Sequence, residues 1–325
     1  MIKKMKISII GLGAIGSAIG GFMRLKGFDV AGYGRNPHIS EIRKNGLKIK
    51  GIWGEHIVRD FEVYTSVDEG KERLKVSDFI IISTKSFDTR KAVEEISEYI
   101  KEDAVVASFQ NGLGNMEEIA DIVGERRTGG ARVIFGSKIL SPGEIEITVY
   151  GGEILAGHFL SERAPEWAIE KIKKVVDFLN SSGIPSKFVE DVKIYLWEKM
   201  LYNCALNPLS AIFHLPYGTL YENYETRYIM KETLKEIFRL MDKIGIKTRW
   251  NGWEDYFRYF GEKLIPPTSA HIASMAEDIK NGKRTEIDFM NGYMATMGEK
   301  VGVEMSVNRT LTLIIKFLEK EMKNG

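Results

Sequence analysis

Cysteine is all but absent from this sequence: 325 residues hold one, Cys204. A single thiol excludes an intramolecular disulfide and a cysteine zinc site. An excess of charge is missing too. Lys and Arg number 46, Asp and Glu 45, and the net charge is +1. Such a balance gives no electrostatic argument for a nucleic-acid or membrane partner. No apolar run reaches the length of a membrane span. The five histidines are scattered, and none joins a cysteine or carboxylate at metal-ligand spacing, so no metal is expected. His38, His56 and His158 read as surface or turn residues. The start, Met1-Ile2-Lys3-Lys4-Met5, is basic, as a signal peptide would be. The apolar stretch behind it is broken by glycines and followed by Arg24 and Lys26, which reads as strand, turn and helix. The expected compartment is the cytoplasm.

What is present is the composition of a globular protein, 44% hydrophobic and 28% charged, with length for two domains. The first half alternates strand and helix patterns. Strands are expected over 5–10, 28–34, 78–84 and 104–109, and helices over 14–26 and 88–100. A short helix and a hairpin fit 38–60. Asp78-Phe79-Ile80-Ile81-Ile82-Ser83-Thr84 is apolar on both faces, as a buried parallel strand must be. Strands near 126–135, 143–149 and 153–158 should extend that sheet, and 165–181 reads as a helix. Strand character ends at Ile184-Pro185-Ser186. Beyond it the period is helical, with segments near 191–207, 224–245, 270–280, 286–301 and 305–322. The expected fold is an α/β N-terminal Rossmann-type doubly wound domain, residues 1–188, plus an all-α C-terminal domain, residues 189–325.

Gly11-Leu12-Gly13-Ala14-Ile15-Gly16 is G-x-G-x-x-G between a strand and a helix. Gly11 permits a tight turn, Gly13 lets the backbone approach a pyrophosphate, and Gly16 lets helix and strand pack closely. Phosphates would sit on the helix N-terminus. At the end of the second strand an NAD site usually carries Asp or Glu. Here the chain reads Ala31-Gly32-Tyr33-Gly34-Arg35-Asn36, with no carboxylate. The guanidinium of Arg35 suits a 2′-phosphate, so NADP(H) is the expected cofactor; a solvated loop arginine is the plainer alternative. Lys85, after the strand at 78–84, stands at the ligand edge of an open α/β sheet.

In the second half, Lys199, Asn203 and Asn207 are spaced i, i+4, i+8, on one helix face. Asn is a mediocre helix former, so two at this spacing need a reason. A lysine in a partly enclosed site is a competent proton donor. Glu286 would start a helix, where a carboxylate is ordinary. Phe109-Gln110-Asn111-Gly112-Leu113-Gly114 follows a strand at the ligand edge, though Asn and Gly also suit a plain turn.

Together these pieces resemble the ketopantoate reductase family. The resemblance runs nearly the full chain. It rests on the glycine motif, Gln110-Asn111-Gly112-Leu113-Gly114, Trp197 to Pro208, and Ser274-Met275 with Thr285-Glu286-Ile287-Asp288. It implies a two-domain NADPH enzyme that reduces 2-dehydropantoate to pantoate, a precursor of pantothenate and coenzyme A. Lys199 is similar to the family's catalytic lysine and Glu286 to the carboxylate paired with it. Asn111 resembles the residue near the nicotinamide, and Ser274 the one that binds substrate carboxylate, with Asn203 lining the same pocket. Arg35 and Lys85 match the NADP phosphate contacts. Two departures touch the substrate: Tyr217 and His271 stand where the family often carries Asn. The implied partner is a small 2-keto acid, with no nucleic acid and no membrane, and the chain would act as a monomer or homodimer. Two rivals remain: the same chemistry on another branched 2-keto acid, and a dinucleotide-sensing module without turnover.

Overall fold

Phe79-Ile80-Ile81-Ile82 is buried on both faces, and that requirement places it in the middle of a sheet. In the computed structural model, which describes residues 5–324, it is strand β6 of twelve. Residues Met1–Lys4 of the basic N-terminal stretch lie outside the described range. Preceding β6 are β1 (Lys6–Ile10), β2 (Asp29–Tyr33), β3 (Leu47–Gly51), β4 (His56–Val58) and β5 (Glu62–Tyr64). After it come β7 (Val105–Ser108), β8 (Thr128–Arg132), β9 (Phe135–Ser141), β10 (Glu144–Tyr150), β11 (Ile154–His158) and β12 (Ser186–Phe188). The main sheet runs β12-β11-β8-β7-β6-β1-β2-β5. From β8 to β5 every pairing is parallel. The chain reverses its direction of travel across the sheet at β1, which has β2 on one side and β6 on the other. Crevices at such switch points, at the carboxyl ends of the strands, are where open α/β sheets bind ligands.

The expectation that the strand near 143–149 extends this sheet fails. β10 joins β3, β4 and β9 in a separate four-stranded sheet, order β4-β3-β10-β9. Its sequence explains why. Ile145 and Ile147 are buried while Glu144 and Glu146 lie toward the other face, the alternation of a sheet with one covered side. β11, buried along its whole length, stays in the main sheet. The strand series also runs slightly further than Ser186, because β12 pairs parallel to β11.

Two histidines overturn their surface reading. His38 is buried, with Nδ1 accepting from the Gly143 N–H at 3.0 Å and Nε2 3.0 Å from Ser17 Oγ. His158 is buried in β11, with Nδ1 accepting from the Leu160 N–H at 3.0 Å and Nε2 3.2 Å from the Arg126 carbonyl. An Nδ1 that accepts is unprotonated, so both rings are neutral, and burial lowers both pKa values below the ordinary histidine range.

The chain divides into two compact units. One runs to Asn111 and resumes over Asn115–Lys193; the other comprises Gly112–Gly114 and the residues from Ile194 onward. The second unit is helical, with Tyr224–Ile244 and Ser306–Asn324 among its long helices. Its first long helix, Val192–Phe213, was expected to stop before Pro208 but continues through it. A proline there leaves the Cys204 carbonyl, four residues back, without its helical donor. The Asn291 side chain supplies one, donating from Nδ2 at 3.1 Å. Glu286 was expected to open a helix. Instead it precedes a 3₁₀ turn, Ile287–Phe289, and the α-helix begins at Asn291. Among the described residues no helix is long and apolar enough to cross a membrane.

Candidate active site

The glycine motif of the first unit assigns a separate task to each glycine. Gly11 has φ +101°, and a Cβ there would lie 2.5 Å from the Thr84 backbone nitrogen. At Gly16 a Cβ would meet the Gly11 carbonyl oxygen at 2.4 Å. At Gly13 it would find no atom within 4 Å. Gly11 and Gly16 therefore let protein pack on protein, whereas Gly13 leaves space open. Leu12 is buried, and its N–H shares the Tyr33 carbonyl with that of Gly11, which fastens the turn to the end of β2. Gly13 is the N-cap of the helix Ala14–Leu25 and contributes no side-chain cap. Ala14 and Ile15 form the first turn, half-buried, ahead of the buried Gly16. An uncapped helix start beneath open space fits a phosphate group.

The neighbouring strand ends carry the other expected residues. Arg35 lies two residues beyond β2, with an 84% exposed side chain, and its Nη2 is 3.1 Å from Asp88 Oδ2. Lys85 is half-buried and caps the 3₁₀ turn Ser86–Asp88. Asn111 is half-buried, and its carbonyl accepts from Ser86 Oγ at 2.7 Å and from Asn115 Nδ2 at 2.8 Å. Gln110 Nε2 donates to the Thr84 carbonyl at 3.1 Å and to Thr89 Oγ1 at 2.7 Å, and Thr89 Oγ1 donates to Asn115 Oδ1 at 2.8 Å. These buried polar groups hold the loops after β6 and β7 in one arrangement. Sequence reasoning missed Thr84, Ser86, Thr89, Asn115 and Asp88. The available signal was the run of small polar residues directly after two apolar strands.

In the second unit, helix Val192–Phe213 carries Lys199, half-buried, and one turn later Asn203. Asn203 is 8% exposed, and its amide makes no hydrogen bond among the described residues. Asn207, a further turn on, is matched internally: Oδ1 accepts from the Tyr217 hydroxyl at 2.8 Å and Nδ2 points to Met290 Sδ at 3.6 Å. Burial pushes the Tyr217 phenol pKa up, so it remains a donor. The two departures from the family pattern touch each other. The Tyr217 N–H donates to the His271 carbonyl at 3.0 Å, and their rings meet edge to face, centroids 5.1 Å apart. Ser210 Oγ accepts from the Ala273 N–H at 3.1 Å, which anchors the start of the helix Ser274–Lys280 to the same long helix. Ser274 is exposed beside that anchor. Glu286 is buried, and the segment that follows it is drawn to the long helix through Met290–Asn207 and Asn291–Cys204.

Residues 7–160 match the family model described as ketopantoate reductase PanE/ApbA, and residues 191–319 match that of its C-terminal domain. The chain belongs to the ketopantoate reductase family. Among relatives of this family it is 38% identical over 317 residues to the 2-dehydropantoate 2-reductase of Aquifex aeolicus, covering 97% of each chain. It is 32% identical to that of Pyrococcus abyssi, covering 96% of this chain and 97% of the other. A PanE/ApbA family ketopantoate reductase from Ralstonia eutropha superposes with TM-score 0.86 at 25% identity, over 98% of this chain and 100% of that one. D-mandelate dehydrogenase, solved with NADH and anilino(oxo)acetate, gives TM-score 0.88 at 23% identity, over 98% and 99% of the two chains. At that identity the likeness concerns the fold.

Proposed function

We propose that this oxidoreductase reduces 2-dehydropantoate to pantoate with NADPH, in the cytoplasm, with Lys199 as the proton donor. The observation that carries the reading is in the second unit: a half-buried lysine one helical turn from a buried asparagine whose amide makes no hydrogen bond among the described residues. The relatives named for this reaction, matched along nearly their whole length, supply the substrate. The turn at Gly11–Gly16 and the uncapped helix start fit the diphosphate of a dinucleotide, and the exposed guanidinium of Arg35 fits a 2′-phosphate, with Lys85 as a second cation.

When bound, NADPH supplies the hydride that reduces the keto carbon. Lys199 donates a hydrogen bond to the keto oxygen, stabilises the negative charge that grows there and transfers a proton to it. Glu286 pairs with the ammonium and fixes its direction. Asn203 binds the substrate through its amide, Ser274 binds the carboxylate through its hydroxyl, and Asn111 helps to hold the nicotinamide end.

A second reading, the same chemistry on another branched 2-keto acid, is favoured by the Tyr217–His271 contact and by the closure of Asn207 against Tyr217. Steady-state oxidation of NADPH with 2-dehydropantoate, beside a panel of other 2-keto acids, decides between them. The highest kcat/KM is expected for 2-dehydropantoate. A higher value for another acid would transfer the assignment to it. No oxidation with any acid would leave a dinucleotide-sensing module and overturn the enzyme reading.

A further inference from the structure

Asp88 ends the 3₁₀ turn Ser86–Asp88 in αR conformation, directly before the helix Thr89–Ser97, and its carboxylate makes no side-chain cap bond. Its Oδ2 instead lies 3.1 Å from Arg35 Nη2, across the carboxyl ends of β2 and β6. The backbone fixes it there, for the Asp88 N–H donates to the Lys85 carbonyl at 2.9 Å. The carboxylate is 29% exposed and the guanidinium 84% exposed, joined by one hydrogen bond. An exposed ion pair of that kind contributes little stability, so an incoming ligand can reorganise it.

From this geometry we infer that Asp88 is a selector of the dinucleotide, opposing the 2′-phosphate that Arg35 favours and accepting a 2′-hydroxyl in its place. The inference rests on the proposed placement of the dinucleotide beside Arg35. A 2′-phosphate is a near-dianion that takes a guanidinium through two parallel bonds. With Asp88 within hydrogen-bonding distance of the same guanidinium, a phosphate bound there experiences a like charge, and the pair must open to admit it. A 2′-hydroxyl creates no such conflict. It donates to the carboxylate while Arg35 keeps its partner, which is the arrangement an acidic residue provides in NAD sites. The chain therefore binds both dinucleotides, and Asp88 narrows the preference for NADPH that Arg35 alone would create.

Equilibrium binding of NADPH and of NADH, by calorimetry without substrate, tests this on the wild type and on Arg35→Ala, Asp88→Asn and Asp88→Ala, with thermal midpoints as the check of folding. Asp88→Asn, which keeps the shape and removes the charge, should tighten NADPH about three- to tenfold and weaken NADH by a similar factor. Asp88→Ala should shift the ratio of the two dissociation constants in the same direction. Arg35→Ala should weaken NADPH about tenfold or more and change NADH little. If Arg35→Ala lowers NADPH affinity while neither Asp88 variant changes the ratio, the selector is refuted and the cofactor placement stands. If Arg35→Ala leaves NADPH affinity unchanged, the phosphate lies elsewhere and both ideas are overturned.

Discussion

The two units present their candidate groups by opposite means. In the first, the surface that fits a phosphate is mostly main chain: a turn at Gly11, open space above Gly13 and the free start of the helix Ala14–Leu25. In the second, the candidate groups are side chains, Lys199, Asn203, Ser274 and Glu286, carried on helices and their connections. A main-chain site depends on atoms that are missing, so added atoms harm it. A side-chain site depends on atoms that are present, so deletion harms it. The supports differ in the same way. The glycine turn is held by close backbone approach, whereas the helix Val192–Phe213 is supported at Pro208 by a side-chain donor from Asn291.

Adding one methyl group at two glycines tests the first half of the contrast and has the largest expected effect on stability. Gly16→Ala brings Cβ against the Gly11 carbonyl, which is backbone and cannot yield cheaply. It should cost about 3 kcal/mol in denaturant unfolding of the first unit and remove dinucleotide binding with it. Gly13→Ala meets no protein atom. It should leave the unfolding midpoint unchanged and still weaken the dinucleotide about tenfold, or ~1.4 kcal/mol. Equal loss of stability in both variants would erase the division of labour among these glycines.

The next effect belongs to the second unit. Asn291→Ala leaves the buried Cys204 carbonyl without its donor and should cost about 2 kcal/mol. Pro208→Ala in that background restores a helical N–H to the same carbonyl and should recover part of the loss. A double variant no more stable than Asn291→Ala would show that the proline is not what makes Asn291 necessary. The smallest effect is a pH dependence. His38 and His158 are neutral and buried, with folded pKa values below the unfolded value of about 6.5. Above that pH both states are unprotonated and the stability is fully present. As pH falls below it, the unfolded chain takes up protons that the folded rings resist, so stability declines. Urea midpoints from about pH 7 down to about pH 5 should fall for this reason, and less steeply in His38→Gln. An equal slope in that variant would remove His38 from the account.

The same contrast explains what the sequence made legible. Glycine spacing is a direct record of close backbone approach, so the turn at Gly11–Gly16 could be read together with the doubly wound fold it belongs to. The doubly apolar Phe79–Ile82 could be placed in the sheet for a similar reason. β10 was misplaced because strand character alone does not say which sheet a strand joins; the alternation of Glu144, Ile145, Glu146 and Ile147 held that information. On the helical side, the stripe of Lys199, Asn203 and Asn207 was visible from period alone. What period cannot tell is which members of a stripe are matched from elsewhere in the chain. Asn207 is matched by Tyr217, ten residues on, whereas the Asn203 amide makes no hydrogen bond among the described residues. His38 and His158 looked like turn residues because their partners, Gly143 and Arg126, are 105 and 32 residues distant.

The central claim is that the first unit binds the dinucleotide while Lys199 of the second supplies the proton. Measuring kcat for 2-dehydropantoate reduction and the dissociation constant of NADPH on the same preparation of Lys199→Ala tests it most directly. The account predicts a fall in kcat of about 10²- to 10⁴-fold with the NADPH dissociation constant unchanged. A variant with near-normal kcat, or one that loses rate and NADPH affinity by the same factor, would contradict it.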